Sequence, residues 1–236
     1  MTVTEKAKKA IDFIREYEPL EGYAGMFSGG KDSTVLYDLG KKSGCRITWY
    51  YSLMPDPPEL IKFIKTFPDI NILRPKYSFW RGIIKKFPPH RRVAWCCSDL
   101  KERPSISLPF VHRLLGIRAE ESSSRRKLDR INRITKHRIN YHPLYDWLEW
   151  EIWEYIEKNK LRYCSLYDEG FNRLGCVVCP KRIPSKSHDL FKQRYPQYFK
   201  LFEKQVKKWW ESKGQYRKSE KAKTAREFLD NWYQGK

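Results

Sequence analysis

Three groups of residues in this 236-residue sequence are of types that do chemistry. The first is Ser28-Gly29-Gly30-Lys31-Asp32-Ser33-Thr34, which follows the run Tyr23 to Phe27 and leads into an amphipathic stretch through Val35, Leu36 and Leu39. A strand, a glycine turn and a helix in that order place backbone N–H groups at a helix N-terminus, where the helix dipole stabilises an anion and no side chain stands in the way. Lys31 adds a positive charge, Asp32 suits either Mg²⁺ coordination or helix capping, and Ser28, Ser33 and Thr34 offer hydroxyls to phosphate oxygens. The pattern differs from the longer phosphate loop that ends in Gly-Lys-Ser/Thr.

The second group is the thiols. Of six cysteines, Cys96 and Cys97 are adjacent, and about 80 residues later Cys176 and Cys179 form a C-x-x-C followed by Pro180. Four thiolates so arranged can converge on one soft metal centre, and C-x-x-C is a common half-site for zinc or for an iron–sulfur cluster. Adjacent cysteines are unusual for tetrahedral zinc. Cys45 and Cys164 read as packing residues, and in a reducing compartment disulfides are not expected.

The third group is cationic. Lys101, Arg118 and Arg125 suit phosphate or sulfate oxygens, arginine bidentately, and Glu121 is placed to orient one of them rather than to act as a base. Lys and Arg number 48 against 28 Asp and Glu, a net +20, and residues 181–236 hold 16 against 6, a net +10. Half of the excess therefore sits in the last quarter. A further cluster, Arg125, Arg126, Lys127, Arg130, Arg133, Lys136 and Arg138, lies mid-chain. Such a field attracts polyanions, nucleic acid first among them.

The elements that must position these groups alternate. A helix carrying Ala7, Ala10, Ile11 and Ile14 precedes the Tyr23–Phe27 strand; the helix after the loop runs to about Lys42. Arg46 to Leu53 reads as a strand, Pro58 to Phe67 as a helix, Ile70 to Leu73 and Phe110 to Arg118 as strands, and Ile139 to Pro143 as an edge strand. Alternating strands and helices imply an α/β fold with a doubly wound, mostly parallel sheet. Beyond Trp147 the pattern is helical: Glu149 to Asn159, Ser187 to Trp210 with Pro196 as a kink, and Glu220 to Tyr233. Phe191, Tyr195, Tyr198, Phe202, Val206 and Trp209 recur at helical spacing and read as core rather than as a base-stacking platform. With 40% hydrophobic residues the chain can bury a sizeable core, which excludes disorder, collagen and small disulfide scaffolds. No apolar run approaches the roughly 20 residues of a membrane span, and the first residues lack the apolar core of a signal peptide, so a cytoplasmic protein without membrane contact is expected.

Ser28 to Ser33 resembles the PP-loop of the ATP pyrophosphatase superfamily, the adenine nucleotide alpha-hydrolase-like fold. Cys96-Cys97-Ser98-Asp99-Leu100-Lys101-Glu102-Arg103-Pro104 and Gly116-Ile117-Arg118-Ala119-Glu120-Glu121-Ser122-Ser123-Ser124-Arg125 are similar to segments of the phosphoadenylylsulfate (PAPS) and adenylylsulfate reductases. So are Pro143 to Trp147 with Trp153 to Ile156, and Leu166 to Pro180. The resemblance covers residues 22–180 in order. It implies a PP-loop domain over residues 1–180 with a basic helical extension, 181–236, packed on the same core. It also implies that Ser28 to Thr34, Lys101, Arg118 and Arg125 bind ATP with Mg²⁺, that Lys31, Asp32 and Arg118 carry the chemistry, and that Cys96, Cys97, Cys176 and Cys179 ligate a [4Fe–4S] cluster.

The resemblance departs in two places. The sulfonucleotide reductases carry a nucleophilic cysteine in a Glu-Cys-Gly-x-His segment, whereas no cysteine follows Cys179 here, and Met54-Pro55-Asp56-Pro57-Pro58-Glu59 stands where many members have an Asp-Thr-Gly turn. With the basic last quarter, this resembles more the DNA phosphorothioation ATP pyrophosphatases of the Dnd and Ssp type. The function then implied is use of ATP to activate a nucleic acid, DNA rather than RNA, for sulfur incorporation, with a cysteine desulfurase and other sulfur-modification proteins as partners. The alternatives are a PAPS or adenylylsulfate reductase with another nucleophile, such as Cys164, and a non-catalytic DNA-binding or redox-sensing iron–sulfur protein.

Overall fold

The computed structural model describes residues 1–213 and 222–235. In chain order the elements are α1 (Val3–Glu16), β1 (Tyr23–Met26), α2 (Lys31–Ser43), β2 (Ile47–Ser52), α3 (Pro58–Ile64), β3 (Ile70–Leu73), α4 (Phe79–Lys85), a π-helix (Cys97–Glu102) and α5 (Arg103–Ile106). There follow β4 (His112–Leu115), α6 (Ser123–Arg126), β5 (Ile131–Thr135), β6 (Arg138–Tyr141), α7 (Glu149–Lys158), α8 (Lys186–Arg194), α9 (Pro196–Lys213) and α10 (Ala225–Tyr233). No helix among the described residues is long and apolar enough to cross a membrane.

The chain divides into two compact units that interleave along the sequence. The first comprises Met1–Tyr51, Glu59–Leu73 and Ile106–Tyr167; the second comprises Ser52–Pro58, Arg74–Ser105 and Asp168–Lys236.

The first unit is the α/β sheet. Its strand order is β3-β2-β1-β4-β6-β5, with β1 parallel to β2 and β4, β4 parallel to β6, and only β5 antiparallel among the registers described. The chain winds outward from β1 through β2 to β3, then returns to place β4 on the other side of β1. Ligands of such sheets bind beyond the C-terminal ends of the strands at this switch in direction, and the Ser28–Thr34 loop leaves β1 there. Val35, Leu36 and Leu39 of α2 are completely buried, as the amphipathic pattern requires. β6 is not the edge expected of Ile139 to Pro143: β5 pairs outside it. β5 escapes the pattern because its sequence, Ile-Asn-Arg-Ile-Thr, is that of a strand with one solvated side, and Arg133, Ile134 and Thr135 are exposed.

The second unit is helical, with α4, α8 and α10 all packed against α9. The single helix expected from Ser187 to Trp210 is two. Tyr195 leaves the helical region at φ −128°, ψ 54°, because a residue before proline is disfavoured there, and Pro196 opens α9 where its missing N–H costs nothing. The break shifts the phase of the apolar face: Phe199 is buried and Tyr198 only partly. Phe191, Phe199, Phe202, Val206 and Trp209 form core, with Phe202 and Trp232 rings 4.3 Å apart. The last helix begins at Ala225; its expected start, Glu220, lies outside the described residues.

Candidate functional site

The phosphate-type loop is built by the first unit. Gly29 has φ +73°, and a Cβ there would come within 2.7 Å of Leu60, so both backbone conformation and space call for glycine. Gly30 is the N-cap of α2 without a side-chain cap. The hydroxyls turn inward: Ser33 Oγ donates to Gly30 O at 2.8 Å and accepts from Ser28 N at 3.2 Å, while Thr34 Oγ1 donates to Gly30 O at 3.2 Å. They fix the turn. Lys31 N–H donates to the Tyr167 hydroxyl at 2.9 Å, whereas the Asp32 and Ser33 amides have no partner among the described residues. Those two N–H groups at a helix N-terminus are anion donors.

Cations and carboxylates interlock over the loop. Lys31 is 4% exposed, with Nζ 3.1 Å from Glu149, 4.0 Å from Asp32 Oδ2 and 5.5 Å from the centre of the Tyr167 ring. Arg118, 3% exposed, donates from Nε to Asp32 Oδ1 and from Nη1 to Glu120. Burial works against its charge, but Asp32, Glu120 and Glu121 hold its pKa above the ordinary value. Burial pushes the Tyr167 phenol up, so it is neutral beside Lys31. Glu121 accepts from the Arg118 N–H at 3.2 Å and from Arg125 Nη1, the orienting role expected of it. Lys31, Asp32, Arg118 and Arg125 thus belong to one carboxylate-laced network of the first unit. Gly116 closes it: a Cβ there would stand 3.0 Å from Asp32 O and 3.2 Å from Ser33 N, so only glycine lets the end of β4 approach the loop.

The second unit holds the four paired cysteines. Cys96 precedes the π-helix that carries Cys97 and Lys101, and Cys176 and Cys179 lie on the loop before α8. Val177 N–H donates to Pro55 O at 2.9 Å, and Arg182 Nη1 donates to Cys176 O at 3.0 Å while its guanidinium lies 3.8 Å from the Phe191 ring. The four thiols feel one another. The Cys96 S–H bond to Cys97, with Lys181 and Lys101 nearby, lowers the Cys97 pKa; that bond, burial and the neighbouring thiols push Cys96 up. Burial raises Cys176, with Asp56 and Cys179 adding to it.

Among the described residues no group of three or more His, Cys, Asp or Glu is placed to hold a metal ion. A [4Fe–4S] cluster takes one cysteine at each of four irons, so its ligands need not converge on a single point. The donor set fits such a cluster: four thiols in one unit within electrostatic reach, with Lys101, Lys181 and Arg182 to offset thiolate charge. Of the other two thiols, Cys164 is 1% exposed and Cys45 is partly buried.

Residues 23–182 match the phosphoadenosine phosphosulfate reductase domain. The chain belongs to the phosphoadenosine phosphosulfate reductase family. Within this PAPS reductase family it is 33% identical over 206 residues to an adenosine 5′-phosphosulfate reductase of Lysinibacillus sphaericus, covering 76% of this chain and 83% of that one. It is 31% identical over 209 residues to an uncharacterized protein of Methanocaldococcus jannaschii, covering 81% of this chain and 50% of that protein. The chain spans about half the length of the Methanocaldococcus relatives it matches. PAPS reductase from Candida auris, solved as a phosphate complex, superposes with a TM-score of 0.56 at 17% identity over 74% of this chain and 93% of that one, a likeness of fold.

Three partners of this PAPS reductase-family site escape sequence reasoning. Glu149, Glu120 and Tyr167 all touch Lys31 or Arg118. Glu120 and Tyr167 lie inside the motif segments and Glu149 in the first turn of α7, but nothing in their spacing indicates which cation each meets. Lys101, expected with the nucleotide, belongs to the second unit, where its charge acts on Cys97 and Cys176.

Proposed function

We propose that this chain is an ATP pyrophosphatase of the PAPS reductase family that activates a nucleic-acid backbone, DNA first, for sulfur incorporation of the phosphorothioation type. The observation that carries the reading is the loop itself: two amides at the N-terminus of α2 without a partner among the described residues, with buried Lys31 and Arg118 in one network, suit a polyphosphate. The thiols support it. A sulfonucleotide reductase needs an accessible thiolate nucleophile, whereas Cys164 is buried and burial raises the Cys45 pKa. In this reading the sulfur is supplied by a separate donor, a cysteine desulfurase.

The chemistry balances. The α2 amides and Lys31 bind the ATP phosphates, and Asp32 would hold the accompanying Mg²⁺ through the oxygen that Arg118 does not occupy. A phosphate oxygen of the strand attacks the α-phosphorus; the new P–O bond forms as the α–β bond breaks, and pyrophosphate leaves. Lys31 and Arg118 stabilise the charge that develops there. Sulfur at the sulfide level then replaces the adenylylated oxygen, and AMP departs with that oxygen. Sulfur delivered as a persulfide reaches that level by taking two electrons from a thiol pair. Cys96, Cys97, Cys176 and Cys179 would hold the [4Fe–4S] cluster, which when bound supplies a redox-active anionic centre.

A second reading, a reductase of PAPS or adenylylsulfate, draws support from the relatives named adenosine 5′-phosphosulfate reductase, which are 33% and 37% identical. One assay separates the two: anaerobically purified protein incubated with ATP, with ATP and DNA, and with PAPS and thioredoxin. Pyrophosphate from ATP without sulfite from PAPS is the expected result. Sulfite from PAPS would replace the first reading with the second.

A further inference from the structure

The second unit contains a pocket of about 310 Å³ lined by neither the loop residues nor the cysteines. It is at the small end of ligand-binding cavities. Its base is fixed by three indole N–H donors on one short turn. Trp209 Nε1 donates to Lys86 O at 3.1 Å, Trp95 Nε1 to Phe87 O at 2.8 Å and Trp232 Nε1 to Pro89 O at 2.6 Å, and Pro88 and Pro89 restrict the turn further. A cavity so braced is preorganised, and little ordering cost attends binding.

The walls are aromatic. Trp209, committed to Lys86 and 3% exposed, is floor. Trp210 and Phe228 are both partly exposed, with ring centroids 6.1 Å apart, and face the cavity with Phe87. His90 lines it as well; burial and Arg92 hold its pKa low, so the neutral ring carries one donor and one acceptor. Among the described residues no carboxylate lines the cavity. Arg91, Arg92, Lys208 and Lys223 are exposed and adjoin its lining residues in the chain, Arg91 donating from Nη1 to Ile183 O at 3.2 Å. Among the described residues Glu211 and Glu227 are the acids next to lining residues in the chain, and Glu227 accepts the Lys223 N–H at 2.7 Å.

An aromatic-walled pocket, a neutral imidazole among its lining residues and arginines next to that imidazole in the chain suit the three parts of one nucleotide in a strand: the base face, the base edge and the flanking phosphates. We propose that this pocket takes up an unstacked nucleobase of the nucleic-acid substrate, with Arg91 and Arg92 against its phosphates. The proposal rests on the reading that the substrate is a nucleic acid, and it adds the manner in which the strand is held.

The test uses the full chain without ATP and a fluorescein-labelled single-stranded 12-mer DNA, compared with the same strand carrying a central abasic site within a run of abasic neighbours. The base-bearing strand is expected to bind about tenfold tighter, with quenching of tryptophan fluorescence, as stacking on an aromatic side chain implies. Trp210→Leu and Phe228→Leu are expected to remove that preference, whereas Arg91→Gln with Arg92→Gln weakens both strands alike and flattens the salt dependence. Equal affinity of the wild-type chain for the two strands would overturn the proposal, and this comparison needs no variant to fold. So would a preference that survives both leucine variants, or tenfold tighter binding of free deoxynucleoside monophosphates than of the strand. If Phe228→Leu instead converts a dimer to a monomer and leaves the preference intact, the pocket seats a second copy and the proposal falls. Pyrophosphate release without base preference would remove this inference and leave the functional reading standing; base preference without pyrophosphate release would do the reverse.

Discussion

Lys31 is an ammonium almost withdrawn from water, and such a group is tolerable only beside anions. Its anion at 3.1 Å is Glu149, a side chain half exposed at 51%, so the carboxylate can swing away at small cost when a phosphate arrives. Glu149→Gln is therefore expected to raise nucleotide affinity a few-fold, read by equilibrium binding of ATP. A loss of affinity would mean that Glu149 helps to hold the ligand rather than standing in its place. Arg118 differs: it is buried, and its Asp32 and Glu120 partners hold the guanidinium in one orientation. Both cations were legible as types from the loop and the Gly-Ile-Arg segment. Their pairing with carboxylates was not, because Glu149 is separated from Lys31, and Asp32 from Arg118, by about a hundred residues, and contact across that separation is a property of the folded chain; Glu120 is only two residues from Arg118, but adjacency does not say that the two side chains meet.

At the scale of elements, the end of β4 and the start of α2 meet backbone to backbone at Gly116 and Asp32. Gly116→Ala should push the two apart by a few tenths of an ångström and displace the Ser33 amide. The expected outcome is a roughly tenfold loss in pyrophosphate release, in line with the sensitivity of catalysis to small misplacement, with the circular dichroism spectrum retained. Unchanged release would show that the loop does not depend on this approach. The strand–loop–helix unit was readable because glycines, β-branched residues and helical periodicity each speak locally. The π-helix from Cys97 to Glu102 was not, since an extra residue per turn leaves no sequence period over six residues, and β5 was hidden by its solvated side. Pro196 was read as a kink and is a break; the difference lies in Tyr195, which leaves the helix altogether.

Over the whole molecule, +20 of net charge and three histidines, His142 and His188 buried and His90 partly so, set the response to solution conditions. His90, His142 and His188 are held neutral by burial, below the usual value of 6.5. The unfolded chain protonates these rings at a higher pH than the folded chain does, so their contribution is complete above about pH 6.5 and is lost as pH falls below it. The urea midpoint should accordingly drop between pH 7.5 and pH 5.5; a midpoint constant across that range would contradict the burial of these rings. Pyrophosphate release from ATP in the presence of DNA and a cysteine desulfurase, wild type against Lys31→Ala, tests the proposal that the Ser28–Thr34 loop activates a nucleic acid with ATP. DNA-stimulated release is expected from the wild type and at least about a hundredfold less from the variant, the scale of losing a charge-stabilising donor. Release that ignores Lys31, or none from the wild type under any of these conditions, would contradict it.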